Sequence, residues 1–180
     1  QEPEVTYRRA GSTKDKIVKS HFSSAQKTDV WLNKKGFIKC LCCKACKIGF
    51  NTTTVKVRNQ KEWKITQRIT CKTTFAVYVL ECGCGLRYVG STTGALPKRI
   101  LQHIRAVDKG DLSYAMAKHH NQAHDDNKRM KYYGIDTIRA DERGGDRTKQ
   151  LRRLESKYII RLGTKVTFGL NDDEELYTHL

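Results

Sequence analysis

No stretch of this 180-residue chain approaches 18 consecutive apolar residues, which excludes a transmembrane helix. The start, Gln1-Glu2-Pro3-Glu4, has neither an apolar signal core nor an initiator Met. It reads as a piece cut from a longer polypeptide, not as a secreted precursor. Acidic residues are in short supply, 19 Asp+Glu against 35 Lys+Arg, for a net charge of +16. No internal repeat is visible, and no strongly amphipathic basic helix carries Trp or Phe on one face. That makes a membrane surface the weakest partner for so basic a chain and nucleic acid the leading one.

What is present suits a folded protein. Hydrophobic residues make up 38% and charged residues 30%, which argues against full disorder, and the length supports one ordinary core. The charge is uneven. Residues 1–75 carry net +12, residues 76–168 net +8, and residues 169–180 net −4.

The seven cysteines are tightly spaced. Cys40-x2-Cys43-x2-Cys46 puts three thiols in one short loop. Disulfides do not easily close such loops, because the Cα separation and S–S torsion are hard to reach. Thiolates converging on Zn²⁺ can, because a tetrahedral ion accepts ligands from a tight knuckle. A fourth ligand is needed, and Cys71 is the first candidate, with Cys42 as a local alternative. Residues 51–70 then form a loop or hairpin, in which Val55, Val57, Trp63 and Ile65 alternate. Cys82-Gly83-Cys84-Gly85 is a second, less diagnostic pair that needs outside ligands. His119, His120 and His124 are the nearest: His120 and His124 share a helix face at i, i+4, and His119–His124 has an H-x4-H spacing.

Residues 1–35 are polar and basic, with one helix-like stretch at 13–22, and read as a linker. Residues 36–74 are the cysteine module. Then come a strand at 75–80, a second short strand at 86–89 and a helix near 95–107, with Gly90–Gly94 offering its caps. A possible short helix near 112–120, a third strand at 133–138, a turn at 141–147 and a helix at 148–162 follow. The acidic end from Asn171 is a loop or tail. The fold class is α+β.

Few residues stand out chemically. Arg99 and His103, at i, i+4, project together beside the apolar stripe of the first helix. Glu155 lies on or beside the buried stripe of the last helix, where a carboxylate needs a salt bridge or a metal. Tyr78 and Tyr88 lie ten residues apart on paired strands.

Together these residues resemble a known pattern. Val77-Tyr78-Val79, then Tyr88-Val89-Gly90, is similar to the paired motif of the GIY-YIG nuclease family, with Ala76 and Val77 standing where the name has Gly and Ile. Arg99, His103, Glu155 and Asn171 match the family's later residues in order, and the resemblance covers about residues 70–175. The flanks narrow it. Cysteines between the motif halves with a downstream His pair, Arg68-Ile69-Thr70-Cys71, Gly144-Gly145-Asp146-Arg147 and Gly169-Leu170-Asn171 resemble the endonuclease domain of Penelope-like retroelements. Arg8-Arg9 resembles the stretch joining such a domain to its reverse transcriptase.

The resemblance implies a three-stranded antiparallel sheet flanked by helices over 75–175, with a tail at 176–180. It implies a DNA-nicking endonuclease that leaves a 3′ hydroxyl to prime reverse transcription. Glu155 would hold Mg²⁺ or Mn²⁺, Arg99 would clamp the phosphate, Tyr78 would act on the attacking water and His103 would take up its proton. Tyr88 would orient water or phosphate, and Asn171 would support the site structurally. Where some relatives have a Lys after the second motif, this chain has Ser91. Two structural Zn²⁺ are implied, one held by Cys40, Cys43, Cys46 and Cys71, the other by Cys82, Cys84, His119 (or His120) and His124. The resemblance further implies a DNA duplex as partner, element RNA through a linked reverse transcriptase, and a nuclear location. Two other functions stay open: a zinc-dependent nucleic-acid-binding module without catalysis, and a free-standing repair or homing-type nuclease.

Overall fold

The hairpin that the sequence predicts supplies two of the three strands of the largest sheet. It is seen in a computed structural model, which describes residues 34–57, 61–123, 130–139, 145–166 and 168–172. The helix-like stretch at 13–22, Arg8-Arg9, His124, residues 141–144 of the expected turn and the tail from 173 lie outside the described residues.

The order is β1 (Gly36–Ile38), a 3-10 turn (Lys44–Lys47), β2 (Thr54–Lys56), β3 (Glu62–Lys64), β4 (Arg68–Thr70), β5 (Ala76–Cys82) and β6 (Arg87–Thr92), then α1 (Leu96–Lys109), α2 (Ala115–Ala123), β7 (Met130–Thr137) and α3 (Arg147–Leu162). This is a mixed α+β fold with three helices and small sheets among the described residues. The largest sheet has the order β6-β5-β7, antiparallel throughout. β5 is its middle strand and is almost wholly buried. That explains its unbroken run Ala-Val-Tyr-Val-Leu, because a strand covered on both faces has no reason to alternate.

Register assigns the faces, since residues paired across strands point the same way. Tyr78 pairs with Gly90 and Gly134, and Leu80 with Tyr88 and Tyr132. This face meets α1, α2 and the cysteine module. Val77 pairs with Ser91 and Asp136, and Val79 with Val89 and Tyr133. This second face meets α3, whose Tyr158 hydroxyl donates to Asp136 Oδ2 at 2.7 Å.

Three boundaries differ from expectation. β6 runs on to Thr92, so Gly90–Thr92 form strand and do not cap α1. The cap of α1 is Ala95, without a side-chain bond, and Pro97 in the first turn sets the helical φ instead. β7 begins at Met130, three residues early, because pairing with Cys82 and Glu81 extends it. The short helix lies at Ala115–Ala123. α3 agrees closely: Asp146 caps it by accepting from the Thr148 and Lys149 N–H groups, and Gly163 ends it in the left-handed region.

Both edges of the sheet are covered. The Tyr132 backbone exchanges hydrogen bonds with Ile48 and Phe50. On the other side Asn171 closes onto Val89. The cysteine module and the sheet share one core, in which Phe37 and Ile69 are buried and Phe37 meets the Tyr132 ring edge-on at 5.3 Å.

Candidate active site and metal centres

A short parallel pair that the sequence does not announce builds the first metal centre. β1 pairs with β4, setting Ile38 beside Thr70. The chain continues from each strand into a cysteine, so Cys40 and Cys71, 31 residues apart, come together, and the Cys40 N–H donates to Cys71 Sγ at 3.4 Å. Between them Leu41, at φ 66, and the 3-10 turn reverse the chain and bring in Cys43 and Cys46. Sulfur separations are 3.5 Å for Cys40–Cys46, 3.3 Å for Cys43–Cys46 and 3.4 Å for Cys46–Cys71. A disulfide would need about 2.05 Å, whereas ligands on a tetrahedral Zn²⁺ at about 2.3 Å lie roughly 3.8 Å apart.

Cys40, Cys43, Cys46 and Cys71 thus form a group that could hold a metal ion. Burial pushes the Cys43 and Cys71 thiols up, so their thiolate forms call for a cation. Cys42 is exposed and stands outside the group, with Sγ 3.3 Å from that of Cys40. Lys39, Arg68 and Lys72 line a cleft beside Cys40. Their charge offsets the net negative charge that four thiolates leave around a divalent ion.

The second group sits at the hairpin end. Cys82 closes β5, the turn is tied by the Gly85 N–H to the Cys82 carbonyl at 2.9 Å, and α2 lies alongside. Cys82, Cys84 and His119 could hold a metal ion, with Cys84 Sγ 3.2 Å from His119 Nε2. His120 is buried beside them, its Nε2 3.9 Å from Cys82 Sγ. It is His119, not His120, that groups with both sulfurs.

The residues of the expected active site fall on both faces of the sheet. On the first face, the fully buried Tyr78 places its hydroxyl 2.8 Å from His103 Nε2 and 3.3 Å from Arg99 Nε, which donates to it. Tyr88 packs on the same imidazole, ring centroids 5.5 Å apart. Gly90 makes the crossing possible: a Cβ there would lie 2.6 Å from the Tyr78 hydroxyl oxygen and 2.8 Å from a Tyr88 ring carbon. Burial, then the Arg99 charge, pull His103 down to about 3, so it is neutral at ordinary pH. No described residue bonds to its Nδ1. The neutral imidazole shares a hydrogen bond with the Tyr78 hydroxyl, and the Arg99 N–H and its charge favour negative charge on that oxygen.

Two groups here escaped sequence reasoning. Tyr114 stacks edge-on to His103 at 5.4 Å and lies 5.8 Å under the Arg99 guanidinium. Gln102 accepts from Arg99 Nη1 at 3.1 Å. Gln102, three residues after Arg99, was visible as a helical neighbour. Tyr114 was hidden in a polar stretch without periodicity.

On the second face, Glu155 accepts from the Ser91 hydroxyl at 2.8 Å. Ser91 follows Gly90 directly, so the carboxylate and the tyrosine cluster flank the same edge strand from opposite sides. The Glu155 carboxylate is half-buried. Asn171 is buried. Its Oδ1 accepts from the Val89 N–H at 2.9 Å and its Nδ2 donates to the Val89 carbonyl at 2.7 Å. It pairs with β6 as another strand would and holds the segment that carries Tyr88, Gly90 and Ser91.

No protein-family model, curated protein or solved structure matches the chain. Among the described residues no helix is long and apolar enough to cross a membrane.

Proposed function

We propose that the chain is a GIY-YIG-type endonuclease domain that nicks DNA by hydrolysing a phosphodiester bond. One observation carries this reading: the Tyr78 hydroxyl lies between the Arg99 guanidinium and neutral His103, over Gly90, while Glu155 is tied to Ser91 on the adjacent position of the same strand. A binding module needs none of this. A free phenol has a pKa near 10 and is a poor base at pH 7. With Arg99 donating to its oxygen and His103 holding it by a hydrogen bond, Tyr78 positions the attacking water. The planar fork of Arg99 suits the phosphate, and Tyr88 orients the reacting groups. Glu155 would hold Mg²⁺ or Mn²⁺, which when bound stabilises charge on the leaving 3′ oxygen.

The two cysteine-containing groups hold Zn²⁺ as closed structural sites, with His119 and His124 in the second. The product 3′ hydroxyl primes reverse transcription in the nucleus, within a retroelement polyprotein of the Penelope-like type. The complete enclosure of Tyr78, and the position of Ser91 on the other face from it, favour a second reading in which the same scaffold binds nucleic acid without cutting.

Supercoiled-plasmid nicking by the purified chain, with and without Mg²⁺ or Mn²⁺ and with zinc content measured, separates the two. The expected result is divalent-dependent nicking with two zinc ions per chain. A folded, zinc-loaded chain that binds the plasmid and leaves it intact establishes the second reading.

A further inference from the structure

α3 carries a charge pattern that its fold does not need. Six Lys/Arg stand against one acid, Glu155, between Arg147 and Leu162. Its buried stripe, Leu151, Tyr158, Ile159 and Leu162, faces the sheet. Lys149, Arg152, Arg153, Lys157 and Arg161 are all exposed. At 100° per residue, Lys149, Arg153 and Lys157 fall within an arc of about 80°, each four residues from the next. Like charges at this spacing destabilise a helix, and cations in the first turn oppose its dipole. The ion pair of Lys131 with Glu81 lies elsewhere. A stripe so costly to an isolated chain points to a polyanion that neutralises it.

We propose that the solvent face of α3 is the surface that holds the backbone of a DNA duplex. That the polyanion is DNA rests on the nuclease reading; that a polyanion binds here rests on the helix alone. From Lys149 to Arg161 the helix rises about 18 Å at 1.5 Å per residue, which spans about five phosphates of one strand at 3.4 Å each. Arg152 stands about 60° around the helix from Glu155, whereas Lys149, Arg153 and Lys157 stand about 120–160° from it, so the surface holds the duplex on the outer side of the helix, away from the carboxylate.

The test is the affinity of the full zinc-loaded chain for a blunt DNA duplex in Ca²⁺, from 50 to 200 mM salt. The parent is compared with K149Q/R153Q/K157Q and with K98Q/K109Q, which removes exposed cations from α1 across the sheet. The expected result for the α3 variant is affinity at 100 mM salt lower by about ten- to a hundredfold and a log–log salt slope shallower by about 2–3. Its melting temperature in the absence of DNA should be unchanged or higher, because like-charge repulsion is relieved. The α1 variant should lose less than threefold. Equal losses from the two variants, or an unchanged salt slope in the α3 variant, overturn the inference and leave nicking untouched. A parent that never nicks but binds through α3 ends the nuclease reading and keeps the surface. Tighter α3-dependent binding of an RNA duplex of the same sequence overturns the assignment to DNA.

Discussion

The two faces of the central sheet handle polar groups in opposite ways. On one, Tyr78, Tyr88 and His103 are buried and meet one another, and the imidazole is held neutral. On the other, Glu155 is half-buried on a helix whose outer side is a row of solvated cations. Burial keeps His103 neutral beside the charged Arg99 on the first face, whereas the second keeps its charges by leaving them near water. A hydrolytic site uses both kinds of environment: a dry one that holds the reacting groups in place, and a wet one where a cation and a phosphate meet. Edge strand β6 joins them, with Gly90 serving one face and Ser91 the other.

The largest effect comes from breaking what supports both faces. Cys71→Ser removes one thiol of the first candidate metal group, at the point where β1, β4 and Tyr132 meet. The expected result is loss of one zinc per chain by metal analysis and unfolding of the module around it, since structural metal affinity is folding energy. Next, Glu155→Ala and Arg99→Ala each break one face. Each should cut nicking by about 10²–10³, of the order seen when one preorganised charged group is lost, with circular dichroism and zinc content unchanged.

Asn171→Ala separates the strand from its brace. It leaves the buried Val89 N–H and carbonyl unpaired and should cost about 2–4 kcal/mol by denaturant unfolding. Gly90→Ala strikes the buried face alone. Its Cβ overlaps both tyrosines, for about 1–3 kcal/mol, and nicking should fall with it while metal content stays.

The smallest effect sharpens the contrast through pH. His103 titrates near 6.5 when unfolded and near 3 when folded. The unfolded chain therefore binds the extra proton as pH falls below 6.5, and stability declines from there down to about pH 3. Between pH 7 and 5.5 this amounts to about 1 kcal/mol. His103→Gln should flatten that part of the pH–stability curve.

Periodicity made the scaffold legible. α1 and α3 were found from apolar spacing, and the β5–β6 hairpin from its β-formers around Cys-Gly-Cys-Gly. The first metal group was legible because three cysteines in one knuckle leave little else to do. What closes it was not: the β1–β4 parallel pair spans 32 residues and is only three residues long on each side. Short parallel pairs leave no local pattern. The division of the candidate site between two faces was equally hidden, although it follows from alternation once the register is known. Tyr114 and the Ser91–Glu155 bond come from tertiary approach and left no spacing to read.

The claim that both faces act in one reaction is tested most directly by a double-mutant cycle on single-turnover nicking with Arg99→Ala, Glu155→Ala and both together. Residues that serve one step are not additive. The double variant should be within about tenfold of the slower single. Nicking by Glu155→Ala at the parent's rate, or losses that multiply in full, would contradict it.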